Sequence, residues 1–170
     1  MERALSTLRI MLTDRGDSEL VESPPTKLMS KLCHAAYESK SNGTRVFFPK
    51  NKKLKVGTLR TLGQADAIFV SELGITPFAK KELKKKSCQI FSYDELIVPV
   101  ARHVDVPPHR RLTKEERDRL EKKYPAKLLP LLPESDPICK YYNFRPGDVV
   151  EITRTSTEGH SYLYWRLVVQ

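Results

Sequence analysis

Hydrophobic residues in the first half of the chain follow helical and strand spacings in turn. Leu5, Leu8 and Leu12 recur every three to four positions, which predicts an amphipathic helix over residues 2–13. Similar spacing predicts a helix that opens at Pro24-Pro25 and extends to Ala36, and further helices over 55–64 and 76–86. Apolar, β-branched runs predict strands over 44–50, 66–72 and 87–92, and an extended segment over 95–104. This alternation predicts an α/β unit.

The stretch SDPICKYYNFRPGDVVEITR (135–154) specifies a helix, a turn and a strand in close succession. Asp136 is a good N-cap and Pro137 suits the first helical position. Asn143 can end the helix, and Gly147 after Pro146 provides a tight turn. The alternating residues that follow predict a strand over 149–154.

Residues 161–169 predict a strand that pairs with this one as a hairpin, and its two faces differ in composition. Leu163, Trp165, Leu167 and Val169 share one face, and we expect a helix over 113–124 or the helix at Asp136 to cover it. The other face carries Tyr162, Tyr164 and Arg166, which are either interface anchors or half-exposed strand residues that bond to their neighbours. Between these elements, Thr113 and Glu116 predict a capping box, and the proline-rich segment 125–133 predicts no regular structure.

Prolines divide the chain into two predicted domains. Pro99, Pro107 and Pro108 stiffen residues 95–109, so we expect one domain over 1–97 and another over 98–170. The predicted fold class is α+β or α/β, with a small α/β domain followed by a compact mixed α/β module that contains the hairpin.

Positive charge exceeds negative charge along the chain. There are 30 Lys and Arg against 21 Asp and Glu, a formal net charge of +9, and most of the excess lies in residues 1–97. Such an excess favours a polyanion partner. The basic runs over 50–55 and 80–86 could hold DNA phosphates without reading sequence, or could simply be solvated surface.

One catalytic pattern can be tested. Asp66 with Glu82 and Lys84 resembles the acidic-x-Lys arrangement of metal-dependent nucleases, but Glu82 and Lys84 diverge on a helix. The three cysteines and four histidines lack metal-ligand spacing, which predicts packing or solvated roles. No apolar run approaches the roughly 20 residues that span a bilayer. We therefore expect no enzyme activity, metal or cofactor, and a soluble protein of a reducing compartment.

Three segments together resemble a known family: HVDVPPHRRLTKEE (103–116), residues 135–154, and YLYWRLV (162–168). Their order and spacing are similar to those of the fifth subunit shared by eukaryotic nuclear RNA polymerases and of its archaeal counterpart. GITPFAKKEL (74–83), LTDRG (12–16) and FSYDELIVPVARH (91–103) resemble parts of the N-terminal jaw domain of the eukaryotic members.

The resemblance implies a non-catalytic subunit, in which the second domain anchors to the largest polymerase subunit and the first helps to form a jaw around downstream DNA. A free-standing nucleic-acid-binding transcription factor and a metal-dependent nuclease are the alternatives. The implied DNA contacts are Thr76, Pro77, Lys80, Lys81, Lys84, Lys85 and Lys86. The implied partner contacts are Pro107, His109, Arg110, Tyr141, Arg154, Tyr162, Tyr164 and Arg166. The implied structural residues are Asp136, Pro137, Gly147 and Trp165.

The chain also departs from the family pattern. Gly159 lies one position early in the last hairpin, His160 stands where the family has glycine, and Trp165 replaces a common tyrosine. The first domain is shorter than in cellular eukaryotes, whereas archaeal members lack it. This intermediate length suits a subunit encoded by a large DNA virus, found in host cytoplasm or nucleus and in the virion. A cellular member would be nuclear.

Overall fold

A computed structural model describes residues 1–17, 19–24, 27–62, 66–86, 88–156 and 158–170, except for the side chains of Lys27, Leu28 and Lys84. The predictions for Pro25 and Gly63-Gln64 lie outside these residues, as does the side chain of the proposed DNA contact Lys84. The chain divides into two compact units, Met1–Val98 and Pro99–Gln170.

The first unit contains four α-helices and a five-stranded sheet among its described residues. The helices are α1 (Glu2–Asp14), α2 (Lys27–Leu32), α3 (Val56–Leu62) and α4 (Pro77–Lys86). The strands are β1 (Leu20–Glu22), β2 (Cys33–Ser39), β3 (Arg45–Pro49), β4 (Ile68–Ser71) and β5 (Gln89–Ser92), ordered β1-β2-β3-β4-β5. The first three strands pair antiparallel and the last three pair parallel.

Local sequence signals explain most of these elements. Gly16 at φ +84° ends α1, and the Asp17 N–H donates to Leu12 O at 2.8 Å, a Schellman arrangement. Gly43 at φ +65° makes the turn between β2 and β3. Both faces of β4 are buried, as expected for a strand inside a parallel sheet. The Phe47 and Phe69 rings stack in the core at 5.3 Å between centroids.

Two predictions about the helices of this unit are wrong. The second helix ends at Leu32 rather than Ala36, because Cys33–Ser39 pairs with both β1 and β3 and buries Cys33 and Ala36. Sheet pairing outweighs a weak helical pattern there. Phe78 does not belong to the apolar edge of α4, since its side chain is 77% exposed while Ala79 is fully buried.

Residues 95–104 are not extended as predicted. Two 3₁₀ helices, Asp94–Leu96 and Val100–Arg102, cover part of this segment. The first has a reciprocal cap, in which the Ser92 N–H donates to Glu95 Oε2 at 2.7 Å and the Glu95 N–H donates to Ser92 Oγ at 3.3 Å. This Ser-x-x-Glu signal is present in the sequence and favours a helical turn over a strand.

The second unit contains a four-stranded sheet, ordered β6-β8-β9-β7, and two α-helices among its described residues. The strands are β6 (His109–Arg111), β7 (Leu131–Pro133), β8 (Val149–Thr155) and β9 (Ser161–Val169). The helices are α5 (Lys114–Glu121) and α6 (Pro137–Tyr142), and a 3₁₀ helix spans Ala126–Leu128. The predicted capping box of α5 is present, as is the Asp136 cap of α6, whose carboxylate accepts from the Ile138 N–H at 2.8 Å.

The proline-rich segment 125–133 was predicted to be irregular, yet it supplies the edge strand β7. Leu131–Pro133 pairs parallel with Leu167–Val169 of β9. The Leu167 N–H donates to Pro130 O at 2.9 Å, and the Glu134 N–H donates to Val169 O at 2.7 Å. Because proline can still accept through its carbonyl, a strand at the sheet edge tolerates these residues.

The prediction that the Leu163–Trp165 face of β9 forms the core is wrong, although Tyr124 of the predicted 113–124 segment does stack on Trp165. Val168 is 1% exposed and packs in the core with Val150 and Ile152 of β8, whereas Leu163 is 48% exposed. Arg166 pairs across from Val150 and Tyr164 from Ile152, so these two residues share the core face. Pairing with the apolar residues of β8 therefore turns toward the core the face of β9 that is richer in polar residues.

Candidate functional site

Three residues on the core face of the β8–β9 hairpin form a cationic cluster, which we call the arginine–tyrosine cluster: Arg154, Tyr164 and Arg166. The Arg154 and Arg166 guanidinium carbons lie 5.2 and 5.4 Å from the centroid of the Tyr164 ring, within cation–π distance. Arg154 is exposed, whereas Tyr164 and Arg166 are half-buried. Within the described part of the chain, neither guanidinium forms an ion pair, and the buried Nε of Arg166 has no hydrogen-bond acceptor.

His109 on β6 borders this cluster, opposite Ile152. Its Nδ1 lies 2.6 Å from Pro107 O. Burial lowers the pKa of His109; the Pro107 hydrogen bond and Asp136 oppose this shift, and Arg154 and Arg166 add to it. The structure thus brings together four predicted partner contacts: His109, Arg154, Tyr164 and Arg166.

The other predicted partner contacts lie elsewhere. Tyr141 is 3% exposed and packs edge-on to Tyr142, so it belongs to the core of the unit. Tyr162 is 48% exposed and lies opposite Arg154, near the turn that joins the two strands of the hairpin. Pro107 contributes its carbonyl to His109, as described above.

Arg110 lies on the opposite face of the sheet and is engaged within its own unit. Its guanidinium donates to both carboxylate oxygens of Glu116 at 2.9 Å and to Glu151 Oε1 at 2.8 Å. These hydrogen bonds, led by the one to Glu151, raise the pKa of Arg110. The pKa of Glu116 is lowered, chiefly by the Thr113 N–H and then by Arg110.

Trp165 on this second face is held by two contacts. Its Nε1 donates to Glu151 Oε2 at 3.2 Å, and its ring stacks on Tyr124 at 6.2 Å between centroids. Tyr124 is itself 53% exposed, so the indole is only half-covered. Glu151, which joins Arg110 to Trp165, was missed by the sequence reasoning; its position between two buried strand residues was the available signal.

The predicted DNA contacts lie around α4 of the first unit. Lys80 and Lys81 are exposed, and Lys85 Nζ lies 3.9 Å from Glu82. Lys86 instead donates to the carbonyls of Leu59 and Arg60, at 3.4 and 3.1 Å, and so caps the last turn of α3.

Thr76 and Pro77 form the start of α4. The Thr76 N–H and hydroxyl both donate to Leu54 O, which ties the start of the helix to a neighbouring loop. Pro77 is the first residue of the helix and is exposed.

Of the three nuclease-like residues, Asp66 and Glu82 lie in the described part of the structure, and the side chain of Lys84 does not. Glu82 forms an ion pair with Arg60 at 3.2 Å, and Asp66 adopts a left-handed backbone at φ +61°. Within the described ranges, no group of three or more His, Cys, Asp or Glu could hold a metal ion. The three cysteines are buried free thiols, and burial raises the pKa of Cys139 to about 12. No described helix is long and apolar enough to cross a membrane.

Exposed or half-buried cations lie on α4 of the first unit and in the arginine–tyrosine cluster of the second, an arrangement typical of proteins that bind other molecules. Comparison with known proteins makes this class specific. Residues 98–168 match the family model for the RNA polymerase Rpb5 C-terminal domain. The chain is 30% identical over 182 residues to subunit RPABC1 of DNA-directed RNA polymerases I, II, and III from Caenorhabditis elegans, covering 99% of this chain and 84% of that protein.

Two other relatives add to this picture. The Dictyostelium discoideum protein of the same name is 37% identical over 139 residues, covering 73% of this chain and 71% of the relative. DNA-directed RNA polymerase subunit Rpo5 of Thermococcus kodakarensis is 46% identical over 70 residues, covering 40% of this chain and 85% of that protein. The chain belongs to the Rpb5 family of RNA polymerase subunits. The match confirms the predicted family and the prediction of a non-catalytic polymerase component.

Proposed function

We propose that this protein anchors to the largest subunit of a multisubunit DNA-directed RNA polymerase through residues 98–170. One observation carries the proposal. The archaeal subunit Rpo5 is matched over 85% of its length by only 40% of this chain. A protein of about the size of the second unit is therefore named as a polymerase subunit in its own right, which supports the second unit as the assembly module.

Residues 1–97 would then help to form a jaw around downstream duplex DNA. Lys80 and Lys81 are exposed on α4, and Lys85 is exposed next to Glu82. Lysines in this setting bind phosphates as point charges, without sequence preference, and their contribution falls as salt rises. Lys86 contributes less to this surface, because its ammonium group caps α3.

Affinity purification tests the anchoring proposal. The tagged full chain should recover the large polymerase subunits in stoichiometric amounts. Residues 98–170 should recover the same subunits if circular dichroism and thermal melting show that they fold. A folded 98–170 fragment that recovers no largest subunit would overturn the assignment.

Crosslinking of the assembled polymerase tests the jaw. Replacing Lys80, Lys81 and Lys85 by glutamine should reduce crosslinking of this subunit to downstream DNA, most strongly at low salt. The matched control replaces three exposed lysines of the second unit by glutamine: Lys114, Lys122 and Lys123. Equal crosslinking of wild type and the α4 variant at every salt concentration would contradict the jaw proposal.

The same assembly determines where the protein acts. A cellular polymerase would hold it in the nucleus, and a viral polymerase would hold it in host cytoplasm or nucleus and in the virion. Fractionation of infected and uninfected cells, followed by immunodetection, distinguishes the two.

A further inference from the structure

The arginines of the second unit differ in how their charges are compensated. Arg110 pairs with Glu116 and Glu151, Arg111 with Asp148 at 3.0 Å, and Arg117 with Glu121 at 2.6 Å. The fold thus provides a carboxylate for each of these three. Arg154 and Arg166 contact the Tyr164 ring instead, and among the described residues no carboxylate lies within ion-pair distance of either.

Sheet register places the two cations on the same face, on either side of Tyr164. Tyr164 lies opposite Ile152, while Arg166 lies opposite Val150 and Arg154 opposite Tyr162. Two like charges near one ring repel each other, so the arrangement stores an electrostatic cost that an anion would relieve.

We propose that the arginine–tyrosine cluster is a receptor for the carboxylate of an aspartate or glutamate on the polymerase subunit against which the second unit packs. The inference rests on the proposed anchoring function and names the chemistry of its contact. A guanidinium fork matches a planar carboxylate through two parallel hydrogen bonds. The Tyr164 ring and the neighbouring Tyr162 provide apolar surface that would exclude water around the pair.

A protein carboxylate fits this cluster better than a nucleic-acid backbone. A phosphate-tracking surface presents a row of exposed cations, as on α4 of the first unit. Here one cation is half-buried with an enclosed Nε, and the cluster borders the hydrophobic core formed by Val150, Ile152 and Val168. A half-buried site of this kind suits a single, fixed carboxylate.

Zero-length crosslinking identifies the occupant. In purified polymerase carrying full-length Arg154→Lys, carbodiimide should couple the new amine to an aspartate or glutamate of another subunit, detected by mass spectrometry. Arg119→Lys provides the matched control, since Arg119 is exposed on α5 of the same unit. Coupling at position 154 no greater than at position 119, coupling only to acids of this chain, or ultraviolet crosslinking of the cluster to nucleic acid instead would overturn the inference.

Dissociation by salt provides a second readout. Arg154→Gln and Arg166→Gln should each weaken the binding of this subunit to the polymerase by more than roughly tenfold, the effect of removing one member of an interfacial charge pair. Thermal unfolding of the second unit, followed by the fluorescence of Trp165, should not change. Arg119→Gln should leave retention unchanged. If the wild-type chain fails to co-purify with polymerase, the anchoring function itself fails. If wild type assembles and both variants are retained equally well, only the carboxylate receptor is refuted.

Discussion

Two adjacent valines on β9 test which face of the hairpin forms the core. Val168 is 1% exposed and packs between β8 and α6, whereas Val169 lies on the opposite face and is half-buried. Valine to alanine removes the same two methyl groups at either position. At about 0.8 kcal/mol for each buried group, plus a cavity contribution, Val168→Ala should lower the free energy of unfolding by about 2 kcal/mol. Val169→Ala should cost less than about 1 kcal/mol.

The chain provides its own probe for this measurement. Trp165 is its single tryptophan and lies in the second unit, so its fluorescence during urea denaturation reports on that unit. With a denaturant slope of about 1–1.5 kcal/mol per molar urea, Val168→Ala should shift the midpoint down by roughly 1.5 M. Equal shifts for the two variants, or a larger shift for Val169→Ala, would refute the assignment of the core face.

Three further predictions follow from single side chains. Asp136→Ala should cost about 1 kcal/mol through loss of the α6 cap, measured by the same urea titration against the isosteric Asp136→Asn, which should retain most of the stability. Lys86→Met should destabilise the first unit by about 1 kcal/mol, because two α3 carbonyls lose their donor; the exposed Lys80→Met serves as its control in thermal melts followed by circular dichroism, and equal melting temperatures would contradict the capping role. Burial lowers the pKa of His109, so the folded state binds fewer protons than the unfolded state. Its contribution to stability should be complete above about pH 6.5 and should be lost as pH falls through the lower folded pKa; His109→Gln should flatten this part of the pH profile of melting temperature, and an unchanged profile would contradict the shift.

Local signals along the chain predicted many of the elements correctly. The Asp136-Pro137 start of α6, its end at Asn143 in the left-handed region, and the capping box of α5 each depend on neighbours within a few residues. The strands β3, β4 and β5 were predicted because β-branched and aromatic residues are concentrated in them. These properties are local in sequence, so the sequence determines them before any tertiary contact forms.

The family was also accessible from the sequence alone. Three spaced segments between residues 103 and 168 carried the resemblance, and the match of residues 98–168 to the Rpb5 C-terminal domain confirms it. Four of the predicted partner contacts proved to be neighbours in space. The order of motifs along a chain records a family even where the side-chain contacts remain unknown.

The tertiary structure decided the matters that depend on a partner strand or helix. Cys33–Ser39 became a strand because two neighbours hydrogen-bond to it, and Lys86 became a helix cap because α3 ends beside it. Because one face of β9 carries more apolar residues, the sequence favoured burial of the face that contains Leu163 and Trp165. The pairing of β9 with Val150 and Ile152 placed Tyr164 and Arg166 on the core face instead. A strand has a period of two and so offers two faces, and only the register with its neighbours determines which face is buried.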